Sequence, residues 1–356
     1  MCPCKRHKRC IENDFLRESK IKKNMIQIGI IGGSGYTGGE LIRLLIHHPA
    51  VTINFVYSRT KAGVPLYSAH EDLLGITELC FTDLVNPKVD LVFLCLGHGH
   101  SKDFLEKNPF GETTKIIDLS TDFRAQANAS FLGKTFIYGL PEKNKSAIEN
   151  AAYIANPGCF ATALQLALLP LAKAQKLRHP VHINGTTGST GAGIIPGDST
   201  HNSWRNNNLS WYKAFNHQHL GEVREQLSSE GADSGVATKA ELPPFYFIPN
   251  RGAFSRGIFA TLYTEYDGDI ESAKAIYKSY YQGAPYTHLS EFPIDLKQVT
   301  NTNQCHLHLH KHEDQLLITV AIDNLLKGAS GQAVQNMNLL FGWEETLGLQ
   351  LKANRF

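Results

Sequence analysis

The stretch that decides the fold is residues 25–49, which read MIQIGIIGGSGYTGGELIRLLIHHP. Its apolar run Ile26–Ile31 has the unbroken hydrophobicity of a strand that is buried on both faces of a parallel sheet. Glycines follow this run, and the pattern from about Thr37 to Ile46 predicts a helix that ends before Pro49. A strand, a glycine turn and a helix in this order predict the first unit of a doubly wound α/β sheet.

The rest of the chain divides into two patterns. Apolar runs at about 51–58, 89–96 and 115–120 alternate with helical segments, which predicts a parallel, doubly wound Rossmann sheet over residues 25–158. Residues 159–328 read as one helix followed by strands that alternate in polarity, which predicts an α+β catalytic and dimerisation domain with a mixed sheet. We expect the C-terminal helix, at about 329–345, to pack back on the first domain.

Composition excludes several classes of protein. The 356 residues suffice for two domains, and 42% of them are hydrophobic, which argues against disorder. The formal net charge of +2 provides no general attraction for nucleic acid or anionic membrane. The sequence contains no run of about 20 apolar residues, so no membrane partner is expected.

The seven cysteines are dispersed and odd in number, which does not suit a secreted disulfide framework. We therefore expect a cytoplasmic protein. Residues 1–24 carry eight basic and three acidic residues and lack the apolar core of a secretory signal. We expect this segment to be a disordered N-terminal extension.

Two overlapping glycine patterns follow the first strand: Gly33-x-Gly35-x-x-Gly38 and Gly32-x-x-Gly35-x-x-Gly38. Such glycines permit a tight turn and let the backbone approach a pyrophosphate at the positive end of a helix. The position between strand and helix favours a dinucleotide site. The alternative is a turn that serves only close packing of strand and helix.

The end of the second strand distinguishes the two nicotinamide cofactors. An acidic residue there would bind the ribose 2′-hydroxyl of NAD, but the chain reads Tyr57-Ser58-Arg59-Thr60-Lys61. The hydroxyl of Ser58 and the guanidinium of Arg59 suit a 2′-phosphate, so we predict NADP(H). A solvated basic turn is the alternative.

Cys159 follows Pro157-Gly158 and comes immediately before a predicted helix. A helix N-terminus stabilises a thiolate and lowers its pKa, although a cysteine at such a place can also be a small core residue. We interpret Cys95, in an apolar run, as a core residue. A thiol and a nicotinamide site on one chain suggest chemistry at the level of an aldehyde, through a thioester or hemithioacetal.

With these pieces placed, the chain from about Met25 to Leu349 resembles the N-acetyl-γ-glutamyl-phosphate reductase family, relatives of aspartate-semialdehyde dehydrogenase. The motifs that carry the resemblance are GGSGYTGGEL at the glycine turn, DLSTDFR at 118–124, YGLPE at 138–142, NPGCFATA at 156–163, GSTGAG at 188–193, HQHLGE at 217–222 and DNLLKGASGQAVQNMNLLFG at 323–342. The motif around Cys159 is the most specific of them.

The resemblance implies NADPH-dependent reduction of an acyl phosphate to a semialdehyde in arginine biosynthesis. It makes Cys159 the nucleophile and His217 the general acid/base, with His219 as the competing choice. On one helix these two histidines would lie about 200° apart, so only one would face the thiol. His219 and Glu222 would share a face and help to orient substrate or each other.

The resemblance also assigns binding residues. Arg124 resembles the substrate-binding arginine, whose fork matches phosphate or carboxylate oxygens; a surface ion pair with Asp122 is the alternative. Cofactor contacts are expected at the glycine turn, at the GSTGAG turn and at an asparagine for the nicotinamide carboxamide. These residues are Gly32, Ser34, Gly35, Tyr36, Thr37, Gly38, Ser189, Gly191 and Asn324.

The chain also departs from the family pattern. Ile194-Ile195-Pro196 follow the GSTGAG turn, where relatives often have a basic residue, and this leaves open an N-succinyl instead of an N-acetyl substrate. Aspartate-semialdehyde dehydrogenase and a non-catalytic NADP-binding regulator are the further alternatives. The four histidines at alternate positions from His306 to His312 are interpreted as a polar strand face, and no metal site is predicted. We expect a homodimer or homotetramer formed through the second sheet.

Overall fold

The structure is a computed structural model that describes residues 25–230 and 242–355. The N-terminal extension predicted for residues 1–24 lies outside the described residues. Within them the chain forms two β-sheets with helices packed against both.

The first sheet has eight strands, in the spatial order β3-β2-β1-β4-β5-β8-β7-β6. All neighbours pair in parallel except β6 and β7. The strands are β1 (Ile26–Ile31), β2 (Val51–Tyr57), β3 (Phe81–Thr82), β4 (Leu91–Leu94), β5 (Lys115–Asp118), β6 (Ser130–Phe131), β7 (Lys134–Tyr138) and β8 (Tyr153–Ala155). The order reverses direction at β1 and β4, which is the place where a doubly wound sheet opens a crevice at the carboxyl ends of its strands.

Three helices accompany this sheet: α1 (Tyr36–Leu45), α2 (Ser101–Lys107) and α3 (Pro141–Glu149). Helix α2 begins at Ser101 without a side-chain cap from the preceding residue. The carboxylate of Asp122 instead accepts hydrogen bonds from the backbone N–H groups of Gly99, Ser101 and Lys102. Because Asp122 serves this helix end, the alternative that pairs it with Arg124 is wrong.

The second sheet has seven strands, in the order β10-β11-β9-β12-β15-β14-β13, and it is mixed: β9 pairs with β11 in parallel and with β12 antiparallel. Its strands are β9 (Val181–Thr187), β10 (Ser210–Trp211), β11 (Phe245–Arg251), β12 (Ile258–Glu265), β13 (Thr287–Ser290), β14 (Cys305–His312) and β15 (Gln315–Ile322). The predicted fold class, a doubly wound sheet with a second mixed sheet, is confirmed.

Four helices lie between or beside the strands of the second sheet: α4 (Cys159–Lys173), α5 (Asn202–Arg205), α6 (His219–Ser228) and α7 (Ile270–Tyr280). Every residue of α4 from Phe160 to Leu171 is buried, so this helix forms the centre of the core between the second sheet and its other helices. The sequence of α4 is apolar on all sides because no face of the helix contacts solvent.

The last helix, α8 (Ser330–Leu340), packs against α1 and α3. Its apolar residues share a core with β1 and α1, and the hydroxyl of Ser330 donates to the carbonyl of Thr37 at 2.9 Å. The C-terminal segment thus contacts the glycine-turn helix directly. Within the part of the chain that the structure describes, no helix is both long and apolar enough to cross a bilayer.

Candidate active site

Cys159 is the first residue of α4, and Gly158 precedes it in an extended conformation (φ −72°, ψ 152°). The thiol is partly exposed, whereas the helix behind it is buried. The helix is anchored in the core, and its first turn lies at the floor of a cleft of about 520 Å³. The cleft lies between the ends of the strands of both sheets.

Two glycines permit close packing around the thiol. A Cβ on Gly158 would lie 2.4 Å from Nε2 of His219 and 2.8 Å from a terminal nitrogen of Arg124. A Cβ on Gly328 would lie 2.8 Å from the Cβ of Cys159. These distances are shorter than Cβ atoms show in real proteins. The His219 imidazole and the loop before α8 can therefore pack beside Cys159 only because residues 158 and 328 are glycines.

His217 and His219 both line the cleft and are both buried. The prediction that they lie on opposite sides of one helix is wrong, because α6 begins at His219 and His217 precedes it. Their rings meet edge to face with centroids 4.8 Å apart, and the ring of His217 also contacts Phe160, the residue after the thiol. The loop before the helix therefore brings both imidazoles to the same wall.

The hydrogen bonds distinguish the two histidines. Nδ1 of His217 accepts the backbone N–H of His219 at 3.2 Å, so the neutral ring carries its proton on Nε2. Nδ1 of His219 is buried and has no hydrogen-bond partner, so no described neighbour fixes its tautomer. His217 is thus set as a donor through Nε2, whereas Nδ1 of His219 has no partner.

Burial has the largest effect on the pKa values of Cys159, His217 and His219. It raises the pKa of the Cys159 thiol to about 11, against the lowering effect of the Phe160 N–H and the charge of Arg124. The expected lowering of the thiol pKa is therefore wrong. Burial, together with the positive charges of Lys213 and Arg251, lowers the pKa of His217 to about 4. Burial and Arg124 lower the pKa of His219 well below its usual range. The resting site holds a neutral thiol and two neutral imidazoles.

Glu222 lies behind Cys159, outside the lining of the cleft. Its Oε1 accepts the N–H of Gly158 at 2.9 Å and the hydroxyl of Tyr138 at 2.6 Å. Its Oε2 lies 3.4 Å from Nη1 of Arg124. The expected partnership with His219 is not among these contacts. Glu222 instead joins the start of α4 to β7 and to the arginine.

Arg124 is buried, and its guanidinium is held on three sides. Nε donates to the carbonyl of Asn156 and Nη2 to that of Leu119, both at 2.8 Å, while Nη1 faces Glu222. The side chain lines the cleft, so a fixed cation with part of its fork occupied stands beside Cys159.

The glycine turn is built as a dinucleotide site requires. Gly32 has a φ of +78°, and a Cβ there would lie 2.6 Å from the carbonyl oxygen of Cys95. A Cβ on Gly38 would lie 2.6 Å from Gly33, so these residues allow α1 to pack directly on the turn. Gly35 is the N-cap of α1, and the first turn carries no acidic residue. Free backbone N–H groups at this end suit a pyrophosphate, so the residues fit the cofactor.

Within α1, Tyr36 and Thr37 line the same cleft as Cys159. Cys95 follows the end of β4 at Leu94; it packs against the core, as expected, and also lines the cleft. Burial raises the pKa of its thiol to about 12.

Ser58 and Arg59 follow β2 at the side of the turn. Ser58 is buried and donates its hydroxyl to Ser34 at 3.2 Å, which ties the end of β2 to the glycine turn. Arg59 is exposed. A hydroxyl and a solvent-facing guanidinium therefore stand where the ribose of a dinucleotide would lie.

The GSTGAG segment forms a turn after β9. Ser189 hydrogen-bonds through its backbone to Phe254, and Gly191 lines the cleft. Asn324 is buried there; its Nδ2 donates to Thr190 at 3.0 Å and its Oδ1 accepts from Gly257. One amide hydrogen of Asn324 is left to face a ligand.

The polar cleft residues that the sequence did not indicate include His98, Tyr212, Lys213 and Arg251. Arg251 ends β11, and the alternation in FYFIPNR at 245–251 was the available signal for that strand. Lys213 has a φ of +44°, a backbone state that no pattern in the sequence indicates. The histidines of β14 do alternate in exposure with buried Leu307 and Leu309, as a polar strand face would.

Comparisons with known proteins agree with this geometry. Residues 27–151 match the family model described as semialdehyde dehydrogenase, NAD binding domain, and residues 159–324 match semialdehyde dehydrogenase, dimerisation domain. The second match supports the expected oligomer. Aspartate semialdehyde dehydrogenase II from Vibrio cholerae, in complex with ASA, has a TM-score of 0.65 at 15% identity, over 89% of this chain and 98% of that one. The enzyme from Candida albicans with NADP also has a TM-score of 0.65, at 14% identity and the same coverage.

Relatives of much higher identity carry one name. The N-acetyl-gamma-glutamyl-phosphate reductase of Flavobacterium johnsoniae is 58% identical over 93% of this chain and 100% of its own length. That of Christiangramia forsetii is 55% identical with the same coverage. The chain therefore belongs to the N-acetyl-γ-glutamyl-phosphate reductase family of semialdehyde dehydrogenases.

Proposed function

We propose that this protein is an NADPH-dependent reductase that converts N-acetyl-γ-glutamyl phosphate to the semialdehyde, a step of arginine biosynthesis. The observation that carries the proposal is the meeting of two helix ends in one cleft. Cys159 begins α4 on one side, and Tyr36 and Thr37 begin α1 on the other. A thiol and a dinucleotide turn that face each other are what reduction of an acyl group through a thioester requires.

Cys159 is the proposed nucleophile. Its sulfur attacks the γ-carbonyl carbon, the bond from that carbon to the phosphate oxygen breaks, and phosphate leaves. Because burial keeps the thiol protonated, its proton must pass to a base as the bond forms. We assign this role to the neutral imidazole of His219, whose Nε2 lies beside Gly158 and whose Nδ1 has no partner.

His217 is the proposed oxyanion-stabilising group. Since its Nδ1 is occupied by a backbone N–H, its Nε2–H is the group available to stabilise the oxyanion through a hydrogen bond. A reduced nicotinamide held by the glycine turn would supply the hydride that reduces the thioester. Collapse of the alkoxide then breaks the carbon–sulfur bond and returns Cys159.

Arg124 and Glu222 have different proposed roles. Arg124 lines the cleft and stabilises an anionic group of the substrate with the part of its fork that faces the thiol. Glu222 does not reach the cleft, so we assign it to positioning: it fixes the Gly158 N–H and the guanidinium of Arg124.

The cofactor preference follows from the end of β2. No carboxylate stands in Ser58-Arg59-Thr60, and the exposed Arg59 is available for a 2′-phosphate. The turn from Gly32 to Gly38 would hold the pyrophosphate, while Ser189, Gly191 and Asn324 would line the nicotinamide end.

The assembly is proposed as a homodimer or homotetramer through the outer face of the second sheet. Tyr246 and Tyr263 are 42% and 46% exposed there, and both stack on His182 with centroids 5.1 and 4.9 Å apart. A row of exposed aromatic rings on a sheet is typical of a buried interface. We retain the domain division at 25–158 and 159–328, and a cytoplasmic location, as proposals.

Steady-state assays test the function. NADPH oxidation is measured with N-acetyl-γ-glutamyl phosphate and, as a control, with β-aspartyl phosphate. We expect turnover of the first and at most a small rate with the second. Faster turnover of β-aspartyl phosphate would assign the protein to aspartate-semialdehyde chemistry. Turnover of neither, with NADPH bound, would favour a regulator.

A further inference from the structure

Two neighbouring arginines lack an acidic partner: Arg251, which lines the cleft, and Arg205, which bonds the carbonyl of Gly252 behind it. Arg205 is the last residue of the short helix α5, and Arg251 is the last residue of β11. Among the described residues, no carboxylate forms an ion pair with either of them, although other buried guanidinium groups are paired, such as Arg256 with Glu40 and Asp323. Two neighbouring unpaired cations are costly to hold together unless a ligand brings an anion.

Arg205 is only 7% exposed. Its Nε reaches the carbonyl of Ser199 at 3.3 Å and its Nη1 that of Gly252 at 3.5 Å, but its Nη2 is buried without a partner. Burial and the charge of Arg251 both lower its pKa. A buried guanidinium nitrogen with no acceptor is a place where a hydrogen bond is missing.

Arg251 connects Arg205 to the reacting centre. It lines the cleft, and its guanidinium lies 4.6 Å over the ring of Tyr212. The ring of Tyr212 in turn contacts that of His217, with centroids 5.7 Å apart. Arg251 is therefore joined to His217 through the ring of Tyr212, and Arg205 lies next to Arg251 through its hydrogen bond to the Gly252 carbonyl.

We infer that Arg205 and Arg251 form a carboxylate subsite for the part of the substrate remote from the reacting carbonyl. The inference rests on the proposed function, which places the γ-carbonyl at Cys159 and the leaving phosphate beside it. The remaining anionic groups of an N-acyl-γ-glutamyl phosphate are carboxylates several bonds away. A guanidinium with free nitrogens matches a carboxylate in two-point geometry.

Two different parts of an N-acyl-γ-glutamyl substrate can provide the carboxylate that this subsite binds. One is the α-carboxylate, which every N-acylglutamyl substrate carries. The other is a terminal carboxylate on the acyl group, as in an N-succinyl substrate. The comparison of N-acetyl- with N-succinyl-γ-glutamyl phosphate distinguishes the two, because only the second carries the additional charge.

The test is steady-state kinetics of Arg205→Gln with both substrates and NADPH. Loss of a charge-assisted hydrogen bond predicts a KM for the acyl phosphate about 10- to 100-fold higher, with the KM for NADPH unchanged. Arg205→Lys, which keeps the charge, should recover part of the loss. Arg178→Gln is the matched control, since Arg178 is exposed and bonds only the carbonyl of Gln175. Should Arg205→Gln not fold, Arg251→Gln is measured in its place.

Each kinetic outcome supports or overturns the carboxylate subsite. A rise in KM for both substrates supports a subsite for the α-carboxylate, and a rise for the succinyl substrate alone supports one for the acyl group. An unchanged KM for both overturns the subsite while the reductase activity stands. A loss of oligomeric state with unchanged KM likewise overturns it, because Arg205 would then serve assembly. If the wild-type protein reduces neither substrate, the proposed function itself fails.

Discussion

The carboxylate of Glu222 accepts the backbone N–H of Gly158 at 2.9 Å, and so holds the peptide immediately before Cys159 from outside the cleft. The same side chain bonds the hydroxyl of Tyr138 and faces Arg124. One buried carboxylate thus sets the entry into α4 and the direction of the neighbouring guanidinium. Removal of a charged partner leaves buried donors unsatisfied, which is costly.

Glu222→Gln should therefore lower kcat more than it raises the KM for NADPH. We expect a fall of about 10- to 100-fold in kcat/KM for the acyl phosphate, because a misplaced nucleophile loses orientation. Glu225→Gln on the same helix is the control: its carboxylate is bound only to the backbone N–H of Gln126 at an exposed position. Equal kinetics in the two variants would contradict the positioning role.

A pair of glycine substitutions tests the close packing around the nucleophile. In Gly158→Ala the new Cβ would lie 2.4 Å from Nε2 of His219, so we expect loss of activity and a lower Tm. In Gly221→Ala, in helix α6, the Cβ meets nothing within 4 Å. That variant should gain about 0.5–1 kcal/mol in the free energy of unfolding, since alanine is the better helix former. Thermal and urea unfolding measure both; a stable, active Gly158→Ala would show that the packing is looser than described.

Acidification tests the burial of His217. Its folded pKa is lowered to about 4 from an unfolded value near 6.5, so between these values the unfolded chain binds more protons than the folded chain. The free energy of unfolding must then fall as the pH drops from about 6.5 to 4, and must be regained as the pH rises. In His217→Gln this dependence should be weaker. Urea unfolding at a series of pH values compares the two proteins, and identical pH profiles would contradict a buried neutral imidazole.

Arg59 provides the test of cofactor choice. We expect Arg59→Ala to raise the KM for NADPH roughly 10-fold and to leave the KM for NADH nearly unchanged, because only the first cofactor carries the 2′-phosphate. Lys88→Ala is the control, since Lys88 is another exposed cation of the same sheet's loops. Loss of affinity for both cofactors alike would mean that Arg59 contacts a group they share.

Strand and helix periodicity was enough to predict β1, β2, β4 and β5, because their apolar runs and the glycine turn are local features; the short strands β3 and β6–β8, with the antiparallel β6–β7 pair, were missed. The position of Cys159 at the start of a helix was also predictable, since the start of α4 is marked by Pro157-Gly158. The protonation state of the Cys159 thiol could not be predicted from the sequence. It depends on how much of the chain covers Cys159, and Gly328, which packs against it, is distant in the sequence.

The histidines show a second limit. Their spacing suggested opposite faces of one helix, but the helix begins at His219, and the loop before it turns His217 to the same side. Helix boundaries are decided by tertiary contacts as much as by propensity. Likewise Arg205 and Arg251 are far apart in the chain, and only the fold places their charges together.

The most direct test of the central claim is the isolation of an acyl-enzyme. The protein is mixed with N-acetyl-γ-glutamyl phosphate without NADPH, quenched in acid and digested for mass spectrometry. We predict an N-acetylglutamyl adduct on the peptide that contains Cys159, its discharge to semialdehyde when NADPH is added before the quench, and no adduct in Cys159→Ser. Reduction of the substrate by Cys159→Ser at the wild-type rate, or an adduct confined to another residue, would contradict the account.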